Sequence, residues 1–291
     1  MTPRLTLALW QHLAALALVL ADVLFRARRT QLLLPVPFAR ALTVNTCGDA
    51  VSAVTPGRVG GDPVRYLAYR RTLPSGPPIV SAFGMEVAAD AVALITIAIV
   101  LSLLFSSAER EFAQSAARLW RARNTWLVAG VTLLVAVLSV LCTRRLMPRV
   151  FRSAQASLRE AWRHARAQRP ATLARALGWT MAGFLVRGAV LPVLLARTPG
   201  LSLGQVLLGS AVLVYGQQLA PTPGGIGAVE LGAVVGFGGR IAPGSLALLV
   251  VVWRTYTLAL GALAGALLLV RERGPALTPN PSTPAPFRAA S

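Results

Sequence analysis

Two near-copies of one short motif, each set in apolar sequence, constrain the fold of this chain more than any other feature. The first reads Thr-Pro-Gly-Arg-Val-Gly from Thr55, the second reads Thr-Pro-Gly-Gly-Ile-Gly from Thr222, and a shift of 167 residues superposes them. Pro and Gly together break a helix. A break at membrane depth is tolerated only where the backbone lines a cavity or packs against protein. Matched breaks in two halves of a chain therefore indicate a transport site.

The composition assigns the chain to the polytopic membrane proteins. Of its 291 residues, 55% are hydrophobic and 13% are charged, whereas soluble domains carry about 25% charged residues. The formal net charge is +19, and every basic residue is an arginine. Because the arginines flank apolar runs, we interpret the charge as positive-inside sequence and expect no nucleic-acid partner.

The apolar runs predict an all-α membrane protein with about five full spans and two re-entrant Pro-Gly helical hairpins. The spans are residues 5–25, 79–105, 125–143, 176–196 and 241–270. The hairpins surround the two breaks, at residues 32–73 and 201–239. Residues 1–273 then form a single transmembrane domain, with repeat one at about 5–105, a linker at 106–175 and repeat two at about 176–270. The Pro-rich residues 274–291 are expected to form a disordered tail.

The distribution of charge also predicts the orientation. With the basic segment 144–175 in the cytoplasm, the arginines within 26–29, 65–71 and 271–273 fall on the same side. The positive-inside rule then places the N-terminus outside and the C-terminus in the cytoplasm, in what we expect to be a bacterial inner (plasma) membrane. The two hairpins enter from opposite faces, which is the arrangement of an inverted-topology repeat.

The breaks supply candidate substrate-binding groups. Glycine lets the backbone approach a ligand closely, a half-helix after a break presents free N–H groups to an anion, and arginine pairs with phosphate bidentately. The predicted substrate-binding residues are Arg58, Arg65, Gly57, Gly60, Gly61, Gly224, Gly225, Gly227, Gln217, Gln218 and Glu230. Asn45, Asp49 and Tyr215 also precede the breaks and are candidates to line the same cavity. The alternative is that the glycines serve only close helix packing.

Ionisable residues inside the predicted spans form a second candidate set. Glu86, Asp90, Arg187 and Arg254 lie where an unpaired charge is costly, so we interpret them as charged pairs or a gate. The repeat register predicts that Glu86 meets Arg254. The alternative is that Arg254 reaches the interface or meets Glu230.

Signs of catalysis are weak. The sequence contains no HExxH, P-loop or GxSxG motif, and its ten acidic residues are scattered. We therefore expect no enzyme, no metal site and no cofactor.

The residues around the breaks resemble a known family, the flippase-like transmembrane region of lysylphosphatidylglycerol synthases and its free-standing relatives. The family's Pro-Gly-x-x-Gly-Gly element with a following Arg is matched by residues 56–65, and its Glu-x-x-x-Asp span by Glu86 and Asp90. Its Pro-x-Pro-Gly-Gly-x-Gly-x-x-Glu element is matched by residues 221–230, and its late arginine by Arg254. The likeness covers roughly residues 15–270.

The resemblance implies translocation of an amphipathic lipid between leaflets, with an anionic or phosphate-bearing lipid (a phospholipid or a polyprenyl phosphate) as cargo and membrane lipids as partners. In the fused enzymes the lipid is an aminoacylated phosphatidylglycerol. We find no aminoacyl-transfer domain in these residues and expect transport rather than synthesis. Two other functions stay open. One is a non-catalytic partner of a lipid synthase or glycosyltransferase, docked through residues 144–175. The other is a proton- or ion-coupled transporter that uses Glu86, Asp90 and Glu230.

Overall fold

The structure of the chain is a computed structural model that describes residues 7–55, 58, 60–121, 159, 162–220 and 222–273. Its principal elements are α-helices: α1 (Leu9–Leu33), α2 (Phe38–Val54), α3 (Gly61–Arg70), α4 (Pro77–Leu104), α5 (Ser106–Arg121), α6 (Pro170–Leu195), α7 (Leu203–Leu219), α8 (Ala228–Phe237), α9 (Pro243–Arg254) and α10 (Leu260–Arg273). A 3-10 turn (Pro223–Gly225) precedes α8, and a π-turn (Thr255–Ala259) joins α9 to α10. The predicted span at 125–143, most of the basic segment 144–175 and the Pro-rich tail lie outside the described residues.

Four helices are long and apolar enough to cross a membrane, namely Leu9–Leu33, Pro77–Leu104, Pro170–Leu195 and Pro243–Arg271. They correspond to four of the five predicted spans, so the helical membrane architecture is confirmed. The predicted end of the first span at residue 25 is wrong, because α1 continues to Leu33 and contains Arg26 and Arg29. Both arginines find acidic partners inside the protein, and a paired arginine does not need to mark the end of a span.

The helix ends follow local sequence rules. α4, α6 and α9 each begin with proline at the first helical positions, where the missing N–H would have no helical partner. α7 begins with a capping box in which the Ser202 Oγ accepts from the Gln205 N–H at 3.2 Å and the Gln205 Oε1 accepts from the Ser202 N–H at 3.0 Å. These signals fix where the chain re-enters each helix after a loop.

The helices α1 and α6 pack against each other in antiparallel orientation. Gln11 near the start of α1 donates to the carbonyl oxygens of Val193 and Leu194 near the end of α6, at 2.9 and 3.0 Å. Towards the end of α1, the guanidinium of Arg29 donates to the Thr180 hydroxyl at 3.2 Å. The contacts therefore run in opposite directions along the two sequences.

Proline inside α6 creates a second link between helices. Pro192 has no N–H to donate to the carbonyl of Gly188, one turn earlier. The hydroxyl of Ser210 on α7 donates to that carbonyl oxygen at 2.5 Å. A partly buried carbonyl that the helix leaves unpaired is thus satisfied by the neighbouring helix.

The two halves have matching element order. Adding 167 to the bounds of α3 gives residues 228–237, which are the bounds of α8. The same shift carries α1 onto residues 176–200, close to α6, and α2 onto residues 205–221, close to α7. The antiparallel packing of α1 and α6, which this shift relates, is compatible with a two-fold axis between the halves. Insertion of the halves in opposite senses across a membrane stays a prediction.

The described residues form two apolar cores, each centred on one half and including residues of the other. The first-half core gathers residues such as Leu34, Tyr69 and Ile79 from the end of α1, the end of α3 and the start of α4. The second-half core gathers residues such as Leu194, Phe237 and Trp253 from α6, α8 and α9.

Candidate functional site

A polar cavity of about 310 Å³ lies where four helices of the first half meet α6 of the second half. Its walls come from α1, α2, α3, α4 and α6, with one residue from α7 and Arg58 from the break between α2 and α3. The lining residues are Asp22, Arg26, Arg29, Asn45, Gly48, Asp49, Ser52, Arg58, Asp62, Arg65, Val87, Asp90, Trp179, Thr180, Gly183, Phe184, Arg187 and Gln218. So many charged groups inside an apolar helical protein are expensive to bury and indicate function.

Helical periodicity places these polar residues on single faces. On α1, Asp22, Arg26 and Arg29 are separated by four and three residues, which puts them in one row along the helix. On α2, Asn45 and Asp49 follow the same spacing. The opposite faces of the long helices carry exposed leucine, isoleucine and valine side chains, as lipid-facing surfaces do.

One set of lining residues forms a chain of ion pairs with arginine at both ends, here called the Arg-ended chain: Arg58, Asp49, Arg26, Asp22 and Arg187. The Arg26 Nη1 lies 2.8 Å from the Asp49 Oδ1 and its Nε lies 3.3 Å from the Asp22 Oδ2. The Arg187 Nη2 lies 2.7 Å from the same Asp22 oxygen. With three arginines and two aspartates, the chain carries one excess positive charge.

A second set has aspartate at both ends and is called the Asp-ended chain: Asp62, Arg65, Glu86, Arg29 and Asp90. The Arg65 Nη2 lies 2.6 Å from the Glu86 Oε2, and the Arg29 Nη2 lies 3.5 Å from the same oxygen. Arg65 also pairs with Asp62 at 3.1 Å, and Arg29 pairs with Asp90. With three carboxylates and two arginines, this chain carries one excess negative charge.

Glu86 is the structural centre of the Asp-ended chain. It is only 3% exposed, and its Oε1 accepts from the Thr30 hydroxyl at 2.7 Å. Thr30 in turn accepts from the Asn45 Nδ2 at 2.9 Å, and the Asn45 Oδ1 accepts from the Arg65 Nε at 3.1 Å. Removing one partner from such a buried set costs about 3–5 kcal/mol, because the remaining charges stay buried and unpaired.

Arg58 differs from the other arginines of the cavity. Its only ion-pair partner among the described residues is Asp49, at 3.8 Å, and its guanidinium makes no hydrogen bond to them. Its backbone has φ 59°, in the left-handed region, where it is the only non-glycine residue of the described chain. Adding 167 to its number gives Gly225, which has φ 72°. The two breaks therefore share a backbone conformation that suits glycine, and the first one holds an arginine in it at a cost of roughly 1–2 kcal/mol.

The second break is held by Arg254. Its Nη1 and Nη2 donate to the carbonyl oxygens of Gly224 and Gly225 at 3.2 and 3.1 Å. Its Nη2 also lies 2.9 Å from the Glu230 Oε1, and the other Glu230 oxygen accepts from the Gly227 N–H at 2.7 Å. Arg254 therefore fastens the turn, immediately before the π-turn at Thr255–Ala259. Insertions of this type are frequent at functional sites.

The predicted pairing of Glu86 with Arg254 is wrong. Glu86 is occupied by Arg65 and Arg29, and Arg254 by Glu230 and two backbone carbonyls. The repeat register placed Arg254 opposite a residue adjacent to Glu86, but Glu86 and Arg254 each pair with residues of their own half. The alternative partner for Arg254, Glu230, is the one that the structure contains.

The predicted glycines serve the two turns in different ways. A Cβ on Gly61 would collide with the Ser52 Oγ, so Gly61 permits the close packing of α2 on α3. Gly60 donates its N–H to the Thr55 Oγ1 at 3.0 Å. Gly224 and Gly225 are buried in the second turn and Gly227 is exposed beside it, all away from the charged cavity. Gly57 lies outside the described residues.

The remaining predicted residues divide between the cavity and other contacts. Gln218, Asn45 and Asp49 line the cavity, as do Arg58, Arg65, Asp90 and Arg187. Gln217 is 1% exposed and donates to the Thr257 hydroxyl at 3.3 Å. The Tyr215 hydroxyl donates to the Leu94 carbonyl at 2.6 Å.

Asp22, Arg26 and Arg29 are the principal cavity residues that the sequence reasoning missed. Ending the first span at residue 25 made the two arginines look like a cytoplasmic flank. The spacing of Asp22, Arg26 and Arg29 along one helical face was the signal that could have identified them. In the described part of the chain no group of three or more His, Cys, Asp or Glu side chains could hold a metal ion.

The polar residues that α2 and α3 contribute to the cavity have no polar equivalents in the second half. Adding 167 to Asn45, Asp49, Ser52 and Arg65 gives Val212, Gly216, Leu219 and Gly232. These four line a second cavity of about 710 Å³ between α4, α5, α7 and α8, with otherwise mostly apolar walls. Equivalent helix faces thus border a charged cavity in the first half and an apolar one in the second.

Comparison with known proteins yields one family. The family model described as the lysylphosphatidylglycerol synthase TM region matches residues 4–265, which include every described residue that lines the charged cavity. No curated protein and no solved structure matches the chain.

Proposed function

The chain belongs to the family of the lysylphosphatidylglycerol synthase transmembrane region, and on this basis we propose that it is a flippase or scramblase that moves a phosphate-bearing lipid between leaflets. The headgroup enters the charged cavity while the acyl chains stay in the bilayer. Membership of the family establishes a multi-pass membrane protein, and the activity is our proposal.

The observation that carries the proposal is the state of Arg58. An arginine stands in left-handed backbone where its repeat equivalent is Gly225. Such strain persists where the side chain has a use. Its guanidinium lines the cavity without a hydrogen bond to the described residues, and its five N–H donors match phosphate oxygens. Arg187 and Arg26 lie in the same chain of ion pairs, and the excess positive charge of that chain favours an anionic group.

Arg65, the other arginine predicted for the headgroup, has a different part in this proposal. Its guanidinium is engaged by Glu86, Asn45 and Asp62. We therefore assign it to positioning the cavity wall, so that α2, α3 and α4 stay together around the headgroup.

The repeat supports a mechanism of alternating exposure. Antiparallel packing of the equivalent helices α1 and α6 fits an inverted-topology repeat with re-entrant hairpins at α2–α3 and α7–α8. Two packings related by the two-fold axis would open the cavity to either leaflet in turn. Arg254 holds the second turn through two hydrogen bonds to its backbone. The residue at the equivalent position of the first half is Val87, which cannot form such bonds. We therefore assign the first hairpin, α2–α3, as the segment that moves.

The proposed orientation places the end of α1 in the cytoplasm. The first-half core lies at that end, together with the arginines Arg28, Arg40, Arg70, Arg71, Arg271 and Arg273. At the opposite end, Glu111 of α5 pairs with Arg240 at 2.7 Å and accepts from Gln205, so the charge there is mixed. The positive-inside rule then puts the N-terminus outside and the C-terminus inside a bacterial inner membrane.

Reconstitution into sealed vesicles tests the proposal. Vesicles contain acyl-labelled phospholipid, and a membrane-impermeant reductant reports how fast the label in the inner leaflet becomes accessible. We expect the protein to accelerate this step and Arg58→Ala to remove most of the acceleration. The matched control is Arg28→Ala, since Arg28 is exposed on α1 and, among the described residues, contacts the Gln31 side chain and the face of the Phe38 ring.

The same vesicles separate the two alternatives. Absence of lipid movement together with an ion flux that Glu230→Gln reduces would support the coupled transporter. Inactivity in both assays, with a lipid-modifying enzyme recovered alongside the protein, would support the non-catalytic partner.

Reporter fusions at residues 30 and 200 check the orientation, which requires a cytoplasmic signal at 30 and an external signal at 200.

A further inference from the structure

We infer that the ion pair between Asp49 and Arg26 is a gate, which closes the charged cavity towards the N-terminal end of α1 and which the cargo phosphate releases. This inference rests on the proposed function and adds to it the point at which the pathway is closed. Of the residues that the sequence predicted as charged pairs or a gate, only Arg187 belongs to the chain of ion pairs that contains this gate.

The Arg-ended chain is a wall between two spaces. All five of its residues line the charged cavity, and all five also line a separate, small pocket of about 30 Å³. The rest of the small pocket comes from α1, the π-turn and α10, through Val19, Val23, Tyr256, Thr257, Leu258 and Gly261. Because the α1 residues Val19 and Val23 border the pocket and Arg29 borders the cavity, the pocket lies on the N-terminal side of the wall along α1.

The two volumes indicate that this wall is closed. The small pocket, at about 30 Å³, has room for only a few water molecules. The charged cavity, at about 310 Å³, has room for a phosphate headgroup. A headgroup in the cavity therefore cannot continue towards the N-terminal end of α1 until the wall opens. In the proposed orientation, this is the direction of the outer leaflet.

A single ion pair of the chain joins the two parts that have to separate. Arg58 and Asp49 belong to the first hairpin. Arg26 and Asp22 belong to α1. Asp49 and Arg26 connect the two parts at 2.8 Å, whereas the pairs at 3.8 and 3.3 Å lie within the hairpin and within α1. When the connecting pair breaks, Asp49 keeps Arg58 and Arg26 keeps Asp22. Neither charge is left buried without a partner, so the large cost of an unpaired charge is avoided and opening is reversible.

A fixed point lies one helical turn from the gate on both helices. The Asn45 Nδ2 of α2 donates to the Thr30 Oγ1 of α1 at 2.9 Å, in a buried hydrogen bond. At the same level α10 packs closely on α2, since a Cβ on Gly265 would collide with the Thr46 carbonyl oxygen. Two neighbouring helices therefore hold α2 at Asn45 and Thr46. The part of α2 beyond this level can swing away from α1 as a hinged segment.

A phosphate bound at Arg58 acts on the gate through Asp49. The Asp49 carboxylate lies 3.8 Å from the Arg58 guanidinium and 2.8 Å from that of Arg26. A phosphate that pairs with Arg58 comes close to this carboxylate, and like charges repel strongly where solvent screening is weak. The phosphate also offers Arg26 an alternative partner. Cargo thus lowers the cost of opening, whereas the gate of an empty cavity stays closed.

The test measures how fast a charged, membrane-impermeant thiol reagent reaches a cysteine in the small pocket. Gly261→Cys places the thiol there, where a Cβ meets no atom within 4 Å. The full chain carries this substitution, has Cys47 and Cys142 replaced by alanine, and is purified in maltoside micelles. We expect slow labelling of this parent chain, because the reagent is larger than the small pocket.

Substitutions at the gate should change the labelling rate. Asp49→Asn in the parent chain should accelerate labelling about tenfold, which corresponds to about 1.4 kcal/mol of lost closing energy. Asp49→Glu keeps the carboxylate and should label slowly. The matched control is Asp62→Asn, which alters a carboxylate of the same cavity that does not border the small pocket, and it should also label slowly.

A short-chain lipid tests release by the cargo and requires no substitution of Asp49. Dihexanoyl phosphatidylglycerol added to the micelles should accelerate labelling of the parent chain about tenfold. Dihexanoylglycerol, which lacks the phosphate, should leave the rate unchanged. Arg58→Ala should abolish the response to the phosphate-bearing lipid.

The outcomes distinguish the gate from the proposed transport. Slow labelling of a folded Asp49→Asn chain, or fast labelling of Asp49→Glu, overturns the gate. A parent chain that does not respond to phosphatidylglycerol overturns release by the cargo. If the wild-type chain moves lipid in vesicles while these results are negative, the gate is refuted and the proposed transport stands. If no lipid moves although Asp49→Asn accelerates labelling, the proposed transport is refuted and the ion pair still closes the cavity.

Discussion

Replacing Arg58 by glycine should separate stability from transport. The residue holds φ 59°, a conformation that costs a non-glycine residue roughly 1–2 kcal/mol. Glycine removes that cost. Its greater conformational entropy in the unfolded state lowers the stability of the variant by about 0.4–1 kcal/mol. The Arg58 contact with Asp49, at 3.8 Å, contributes at most about 1 kcal/mol, since Asp49 keeps Arg26. Arg58→Gly should therefore be about as stable as wild type.

Arg58→Ala provides the matched comparison, because alanine also removes the guanidinium but keeps the left-handed strain. We expect Arg58→Gly to exceed Arg58→Ala in stability by about 1 kcal/mol, or about 2 °C in Tm. Both variants should lose most of the lipid movement. The assays are thermal unfolding in detergent micelles and label accessibility in vesicles.

Two results would refute this reasoning. If Arg58→Gly unfolds below Arg58→Ala, the backbone of Arg58 is not left-handed and strained in the folded protein. If Arg58→Gly moves lipid at the wild-type rate, the guanidinium is not a headgroup contact, whatever its stability. A stable but inactive glycine variant supports both parts of the account.

Three further substitutions, two of them with a matched control variant, test the packing of the protein. Glu86→Gln should lower stability by about 3–5 kcal/mol because Arg65 and Arg29 lose their shared partner, whereas Glu111→Gln, in a half-exposed pair, should cost about 1 kcal/mol or less. Gly225→Ala should cost at least about 1–3 kcal/mol, since its φ is 72° and a Cβ would lie 2.6 Å from the Gln217 Cα. Gly188→Ala, with open space for a Cβ in mid-helix, should be neutral or stabilising by about 0.5–1 kcal/mol. Ser210→Ala should cost about 1–3 kcal/mol, because the Gly188 carbonyl loses its donor. Thermal or denaturant unfolding in micelles measures all of these, and equal losses in each test and control variant would contradict the packing described.

Much of the architecture could be predicted from apolar run length and from the two breaks. Run length identified four spans to within about ten residues at their ends, and the shift of 167 carries the bounds of α3 onto those of α8. Pro and Gly at the breaks impose backbone conformations that few other residues share, and for that reason the motif register carried over to the helix bounds.

The composition of the cavity was harder to predict, because charge has two uses in a membrane protein. If the first span ends at residue 25, Arg26 and Arg29 are interpreted as positive residues that flank the membrane on the cytoplasmic side. Because α1 extends to Leu33, they lie within the helix and line the cavity. Which carboxylate pairs with which arginine also depends on how each helix is rotated about its own axis. The residue shift between the two repeats does not specify that rotation. The wrong Glu86–Arg254 pairing arose from that gap, whereas Asn45, Asp49 and Gln218 were found because they sit next to a break.

Photo-cross-linking of the headgroup tests the central claim, that the charged cavity holds the cargo headgroup, most directly. A phospholipid with a photoreactive group on its headgroup is added to vesicles containing the full chain, and cross-linked peptides are identified by mass spectrometry. The account predicts adducts on cavity residues such as Trp179, Phe184 and Val87, reduced in Arg58→Ala and unchanged in Arg28→Ala. Adducts confined to lipid-facing positions such as Ile95 and Ile99, with none in the cavity, would contradict it.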